Sequence, residues 1–285
     1  MSTPPTPTRR PRERSSPWTE TTLDDGSGTP LRVRIHDTLA DRAVGALVVH
    51  FHGGSFIAGD LDSGLAMARL LQSAGATVVS VDYPLAPDRP FPAAVESGYA
   101  ALLWAYRQRS RLAGRDARLF VAGEEAGGNL AAALAMVCRD RHRPVLDGQL
   151  LVSPMLDARV GTASMREGHA GASGCRWARG WCAYLGCGAG AEHPYAMPAR
   201  AERLSGLPPT QILTAEDDPL RDEALAYAQG LEQAGVEVRR AVLAAPTGWP
   251  CSLGAPDTGA WGETMHHHLT EFLAPGVQIS RPACS

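Results

Sequence analysis

Two acidic residues and two glycine-rich turns hold most of the chemical potential of this chain. Glu125 sits within Gly123-Glu124-Glu125-Ala126-Gly127-Gly128-Asn129, directly after the apolar run Leu119–Ala122. A carboxylate on a sharp strand-to-helix turn is displayed at its tip, where it can move a proton as general acid or base. His52-Gly53-Gly54-Ser55-Phe56 follows the apolar run Ala46–Phe51. Glycines there let the backbone turn and aim amide groups at a developing oxyanion. Read without chemistry, the same residues are an ordinary turn after a strand. Ala215-Glu216-Asp217-Asp218-Pro219-Leu220-Arg221-Asp222 is an acidic loop that offers a second carboxylate, Asp218. Asp82-Tyr83-Pro84-Leu85-Ala86-Pro87 is a proline-rich loop that leads into a helix and places Tyr83 just after a strand end.

These loops need a scaffold, and the hydrophobic pattern supplies one. Trp18 to Ile35 reads as a hairpin split by Asp24-Asp25-Gly26-Ser27-Gly28. Ala46–Phe51, Thr77–Val81, Leu119–Ala122, Gly148–Val152, Thr210–Thr214 and Val236–Leu243 read as strands, the most apolar of them buried on both faces. Gly64–Ala74, Ala93–Arg109, Asn129–Cys138, Asp222–Ala234 and Trp261–Leu273 read as helices. Strands alternating with helices predict a mostly parallel sheet with helices on both faces. The site then lies beyond the carboxyl ends of the strands. Residues 1–16, rich in Pro, Ser, Thr and Arg, are expected to be a disordered tail, and 17–285 a single α/β domain. Residues 159–203 break the strand–helix rhythm and are expected to form a small cap. Within it Trp177, Trp181 and Tyr184 fall at i, i+4 and i+7, one helical stripe. Such a stripe packs a cap and can also line an apolar pocket.

Composition excludes several function classes. The net charge is −3 and the 27 basic residues are all arginine. There is no basic surplus for nucleic acid or an anionic membrane surface. No apolar run reaches the ~20 residues a membrane helix needs, and the arginine-bearing N-terminus has no apolar core of a signal peptide. The six cysteines show no C-x-x-C pair or metal-ligand spacing and read as reduced thiols. A cytoplasmic location is therefore expected. The chain has no P-loop, no G-x-G-x-x-G after a strand and no H-E-x-x-H, so no nucleotide, flavin, metal or other cofactor is expected.

Taken in order, the motifs resemble the bacterial hormone-sensitive-lipase family of α/β-hydrolases. That family carries HGGG, DYRLAPE with PFPAA, GDSAGGNLA, GLPP and DPLRDE. Here the chain reads HGGS, DYPLAPDRPFPAA, GEEAGGNLA, GLPP at Gly206–Pro209 and DPLRDEALAYA at Asp218–Ala228. The likeness runs from about Ala46 to Leu273 and implies the α/β-hydrolase fold. By resemblance the nucleophilic serine maps onto Glu125 and the triad aspartate onto Asp218. The triad histidine maps onto Gly248, with Trp249 next, and no histidine lies between His193 and His266. The resemblance also assigns the oxyanion hole to Gly53, Gly54 and Ala126. Ser55, Phe56, Tyr83, Trp177, Trp181 and Trp249 are candidates for contact with substrate. Family members that pair through the sheet edge allow a homodimer.

A serine hydroxyl needs a neighbouring base to become nucleophilic. This chain is expected to be a divergent member lacking both. Glu125 and Asp218 are then expected to face a gap across the space the histidine would fill. These residues lead to the expectation of a non-hydrolytic enzyme of specialised metabolism, of cyclase, lyase, dehydratase or epimerase type. It would take a small apolar metabolite and use Glu125 as general acid or base. The alternatives are a ligand-binding homologue without catalysis, such as the gibberellin receptors on this fold, and a hydrolase with Glu125 as carboxylate nucleophile.

Overall fold

The computed structural model describes residues 18–26, 28–37, 45–167, 171–186, 192–255 and 258–275, with the side chains of 171–175 outside the description. The expected tail at 1–16 lies outside it as well. Eight strands form one sheet in the order β1-β2-β4-β3-β5-β6-β7-β8. β1 (Thr19–Leu23) and β2 (Leu31–His36) make the antiparallel hairpin, and β2 runs antiparallel to β4. β3 (Ala46–Phe51), β4 (Ala76–Val81), β5 (Arg118–Glu124), β6 (Gly148–Val152), β7 (Thr210–Ala215) and β8 (Val238–Leu243) are parallel.

Every residue of β3, β4, β6 and β7 is buried, as continuous apolar runs require when helices cover both sheet faces. The alternation of side chains along each strand sorts the core into two layers. Leu47, Val49, Phe51, Leu119, Val121 and Leu151 pack with α2 (Ala93–Leu112), α3 (Ala126–Asp140) and α6 (Arg221–Gln233). Ala46, Val48, Phe120, Ala122, Leu150 and Val152 pack on the other face, against α1 (Leu65–Ser73) and α7 (Trp261–Leu273). Between β6 and β7, the stretch expected to form a cap holds α4 (Ala163–Glu167), α5 (Gly171–Leu185) and a 3-10 turn at Pro198–Arg200.

The sequence pattern ends β5 at Ala122, whereas the strand runs to Glu124 because Glu124 pairs with Val152 of β6. α3 starts at Ala126, not Asn129, so the two glycines are helical. Gly127 explains why: a Cβ there would meet the Phe51 carbonyl oxygen at 1.9 Å. The helix can butt against the end of β3 only where no side chain intervenes.

From β3 the chain crosses to β4 on one side, and β5 lies on the other. A reversal of this kind opens a crevice beyond the carboxyl ends of the two central strands. Phe51 and Gly123 lie in register on β3 and β5. The turn His52–Ser55 after β3 and the sharp turn at Glu125 between β5 and α3 are therefore brought side by side.

Candidate functional site

Glu125 occupies the tip of the turn between β5 and α3 with φ 52° and ψ −115°. A non-glycine residue with positive φ is strained, and such strain is held only where the surroundings over-determine the backbone. Here the Glu125 amide donates to the Val152 carbonyl at 3.1 Å. Its own carbonyl accepts the amides of Asn129 at 3.2 Å and Met155 at 2.9 Å. These bonds fix the direction of the side chain.

That direction is into the turn after β3. Oε2 of Glu125 accepts the amide of Gly54 and, at 3.1 Å, the amide of Ser55. Oε1 accepts the Ser55 hydroxyl at 2.9 Å, the Trp177 indole N–H at 2.5 Å and the Arg176 guanidinium at 3.1 Å. The carboxylate is 4% exposed and thus receives five hydrogen bonds from four residues. The two backbone donors sit where the motif places an oxyanion hole, and the protein's own carboxylate fills them. The Gly53 amide turns instead to Glu124 Oε1 at 3.3 Å. Ala126 opens α3 and gives no bond to the Glu125 carboxylate.

Helix α5 covers this arrangement. Its interior Gly180 lies against Ser55, whose carbonyl oxygen a Cβ at that position would meet at 2.1 Å. Phe56 stacks on Tyr184 with ring centroids 3.9 Å apart, and Trp181 lies 5.1 Å from Phe56. The Phe91 amide donates to the Tyr184 carbonyl at 2.8 Å. The stripe Trp177, Trp181, Tyr184 is thus the face by which the cap packs onto the glycine turn, and only Trp177 reaches the carboxylate. Arg176 also reaches the Glu125 carboxylate and is not among the candidates the sequence offers. In a chain whose basic residues are all arginine, nothing in its spacing distinguishes it.

Tyr83 is buried and donates its hydroxyl to the His52 carbonyl at 2.8 Å, with its ring stacked on His52 at 4.4 Å. Burial, reinforced by the Glu125 carboxylate, pushes the Tyr83 phenol well above its ordinary range, so it remains a neutral donor. Burial lowers the His52 imidazole, and its Nδ1 lies 2.6 Å from the Gly53 carbonyl. Both residues shape the turn. Below the elbow, Glu124 Oε2 meets His50 Nε2 at 2.8 Å, and His50 Nδ1 meets the Ser80 hydroxyl at 3.1 Å. This serine, histidine and carboxylate follow one another as in a hydrolytic triad, but all three are buried. They tie β3, β4 and β5 together.

Asp218 makes no hydrogen bond to Glu125 and is held by its own loop. Its Oδ1 accepts the Leu220 amide at 2.9 Å and its Oδ2 the Thr214 hydroxyl at 2.7 Å. It shares no hydrogen-bond partner with Glu125. Desolvation raises the Asp218 carboxyl to about 6 in spite of these bonds. At the mapped histidine position, the amides of Thr247 and Gly248 donate to Asp217 at 2.8 and 2.9 Å. Trp249 turns away and packs edge-on against Trp261 at 5.4 Å, in the core layer beneath α7. It does not line the site. A cleft of about 330 Å³ lies beside the cap, lined by Asp157, Arg159, Val160, Gly161, Thr162 and Glu223. None of the candidate residues borders it. Among the described residues, no cluster of His, Cys, Asp or Glu has the arrangement of a metal site. None of the described helices is long and apolar enough to cross a membrane.

Comparison with known proteins adds the family. Residues 48–245 match the α/β hydrolase fold family. An esterase of Mycobacterium tuberculosis, LipI, is 40% identical over 75% of this chain and 69% of its own. A carboxylesterase of the same organism, NlhH, is 38% identical over 74% and 68%. A solved arylesterase structure superposes with a TM-score of 0.80 at 30% identity, over 92% of this chain and 86% of that one. These relatives are named for ester hydrolysis. They overturn the expectation of non-hydrolytic cyclase, lyase, dehydratase or epimerase chemistry in specialised metabolism, and with it the exclusion of esterase function. That expectation weighed the exchanged residues alone, whereas identity across three quarters of the chain ties it to ester hydrolases. With its parallel sheet, its strained turn after β5 and its glycine turn after β3, the chain belongs to the α/β-hydrolase family that includes these bacterial esterases.

Proposed function

We propose that this protein is a divergent carboxylic-ester hydrolase in which Glu125 stands at the nucleophile position and Gly248 at that of the histidine. The observation that carries the proposal is the placement of the Glu125 carboxylate on the Gly54 and Ser55 amides. The resting site already holds a carboxylate, the functional group that ester hydrolysis produces. For turnover, the ester carbonyl oxygen takes the two amides and Glu125 rotates aside. Water then attacks the carbonyl carbon as its proton passes to the Glu125 carboxylate, and the oxyanion rests on Gly54 and Ser55. Collapse breaks the C–O bond and the proton returns from Glu125 to the departing alkoxide. Acid and alcohol are the products, and no acyl-enzyme forms.

Five hydrogen bonds hold Glu125 where the substrate oxygen must go. Turnover is therefore expected to be slow, because each must be broken or exchanged first. The test is hydrolysis of p-nitrophenyl acetate by the wild type, Glu125→Gln and Glu125→Ser. The wild type is expected to exceed buffer, and Glu125→Gln to lose that excess by at least tenfold. Glu125→Ser is expected to gain no rapid burst, since position 248 offers no base. A wild-type rate equal to buffer, or a Glu125→Gln rate equal to wild type, refutes the proposal.

A further inference from the structure

Two donors on Glu125 come from neither the glycine turn nor the elbow. Arg176 and Trp177 are consecutive residues of cap helix α5, and both reach Oε1. A neutral ester carbonyl presents one oxygen with modest charge and is served by two amides. The arrangement here serves two oxygens. Oε2 takes the two backbone amides, and Oε1 takes a hydroxyl, an indole N–H and a guanidinium. Charge-assisted bonds of this kind are shorter and stronger than neutral ones. The guanidinium also supplies the compensating charge that a buried carboxylate requires. Without an anion, the buried amide of Ser55 and the indole N–H of Trp177 would lack these acceptors.

We propose that α5 converts this oxyanion hole into a monocarboxylate receptor whose resident ligand is the side chain of Glu125. The inference rests on the elbow being the ester site but not on Glu125 acting as a base. Ser55, Arg176 and Trp177 are the selectivity elements, and the ligand class is a small aliphatic carboxylate such as the acid released from an ester. In the wild type the tethered carboxylate outcompetes free acids. Once Glu125 is shortened, the cradle is open to them.

The experiment is thermal unfolding of wild type, Glu125→Gly and Glu125→Ala with increasing propionate, and with propionamide as the neutral isostere. Glycine also relaxes the positive φ at this turn, so it keeps the fold accessible if alanine does not. Propionate is expected to raise the melting temperature of the shortened variants saturably and to leave the wild type unmoved. Propionamide is expected to leave all three unmoved. Adding Arg176→Ala to Glu125→Gly is expected to weaken propionate binding about threefold, and the half-exposed side chain makes that second change tolerable for folding. No propionate-dependent shift in either shortened variant overturns the inference, as does an equal response to propionamide or an unchanged affinity without Arg176. Because the readout is binding, its failure is separate from failure of ester hydrolysis.

Discussion

Replacing Glu125 by glutamine, the mildest exchange on paper, is expected to damage the protein more than replacing it by glycine. Glutamine keeps the volume but turns one oxygen into an N–H₂ group. If that group takes the Oε2 position, it faces the amides of Gly54 and Ser55, which cannot turn away. If it takes the Oε1 position, it faces the Trp177 indole N–H and the Arg176 guanidinium, and only the Ser55 hydroxyl can reverse. Either way two donors lose their acceptor. A buried unsatisfied donor costs about 1–3 kcal/mol. Arg176 has a 43% exposed side chain and contributes little of that, because water screens it. The Oε1 orientation is therefore the cheaper one, and the expected loss is about 1–3 kcal/mol, the cost of the Trp177 donor. Glycine removes the acceptor entirely but leaves room for water to satisfy the donors. It also releases the strain of a φ of 52°, a relief of about 1–3 kcal/mol. Urea unfolding followed by far-UV circular dichroism at pH 7 measures both. Glycine is expected within about 1 kcal/mol of wild type. A glutamine variant as stable as wild type, or a glycine variant less stable than glutamine, refutes the assignment of Glu125 as an internal ligand.

Two further expectations concern stability. Asp218 is raised to about 6 from an ordinary 3.8, so the fold prefers its protonated form. That preference favours folding fully below pH 3.8 and is lost as pH rises through about 6. Asp218→Asn is expected to flatten this decline between pH 4 and 7, by up to roughly 3 kcal/mol, and a pH series of urea midpoints parallel to wild type would contradict it. Trp249→Ala is expected to lose about 3–5 kcal/mol of stability while leaving the p-nitrophenyl acetate rate of folded protein unchanged. A fall in rate with unchanged stability would return Trp249 to the site.

Much of the scaffold was legible because it is written in short-range pattern. Continuous apolar runs such as Ala46–Phe51 signal strands buried on both faces, and their alternation with helical segments dictates a parallel sheet. Boundaries moved where long-range pairing or packing decided them. β5 reaches Glu124 through its bonds to β6, and α3 begins at Ala126 because Gly127 touches β3. The contribution of the cap was half legible. The Trp177, Trp181 and Tyr184 stripe marks a packed face, but Arg176, one residue aside, carries no periodic signal. Glu125 and Gly248, set against the motifs alone, led to the expectation of non-hydrolytic chemistry, and similarity to named esterases across three quarters of the chain corrected that.

The sequence by itself determined which residues stand in the motifs: a glutamate in GEEAGGN, a glycine at position 248 and the backbone donors of HGGS. It could do so because those motifs are local and their spacing follows from strand and turn geometry. Tertiary structure alone decided what Glu125 touches. Its carboxylate goes to Gly54, Ser55, Arg176 and Trp177, from 51 to 71 residues away in the chain, and not to Asp218. The backbone angles of the elbow aim the side chain, and a cap helix packed through a glycine supplies the charge that keeps it there.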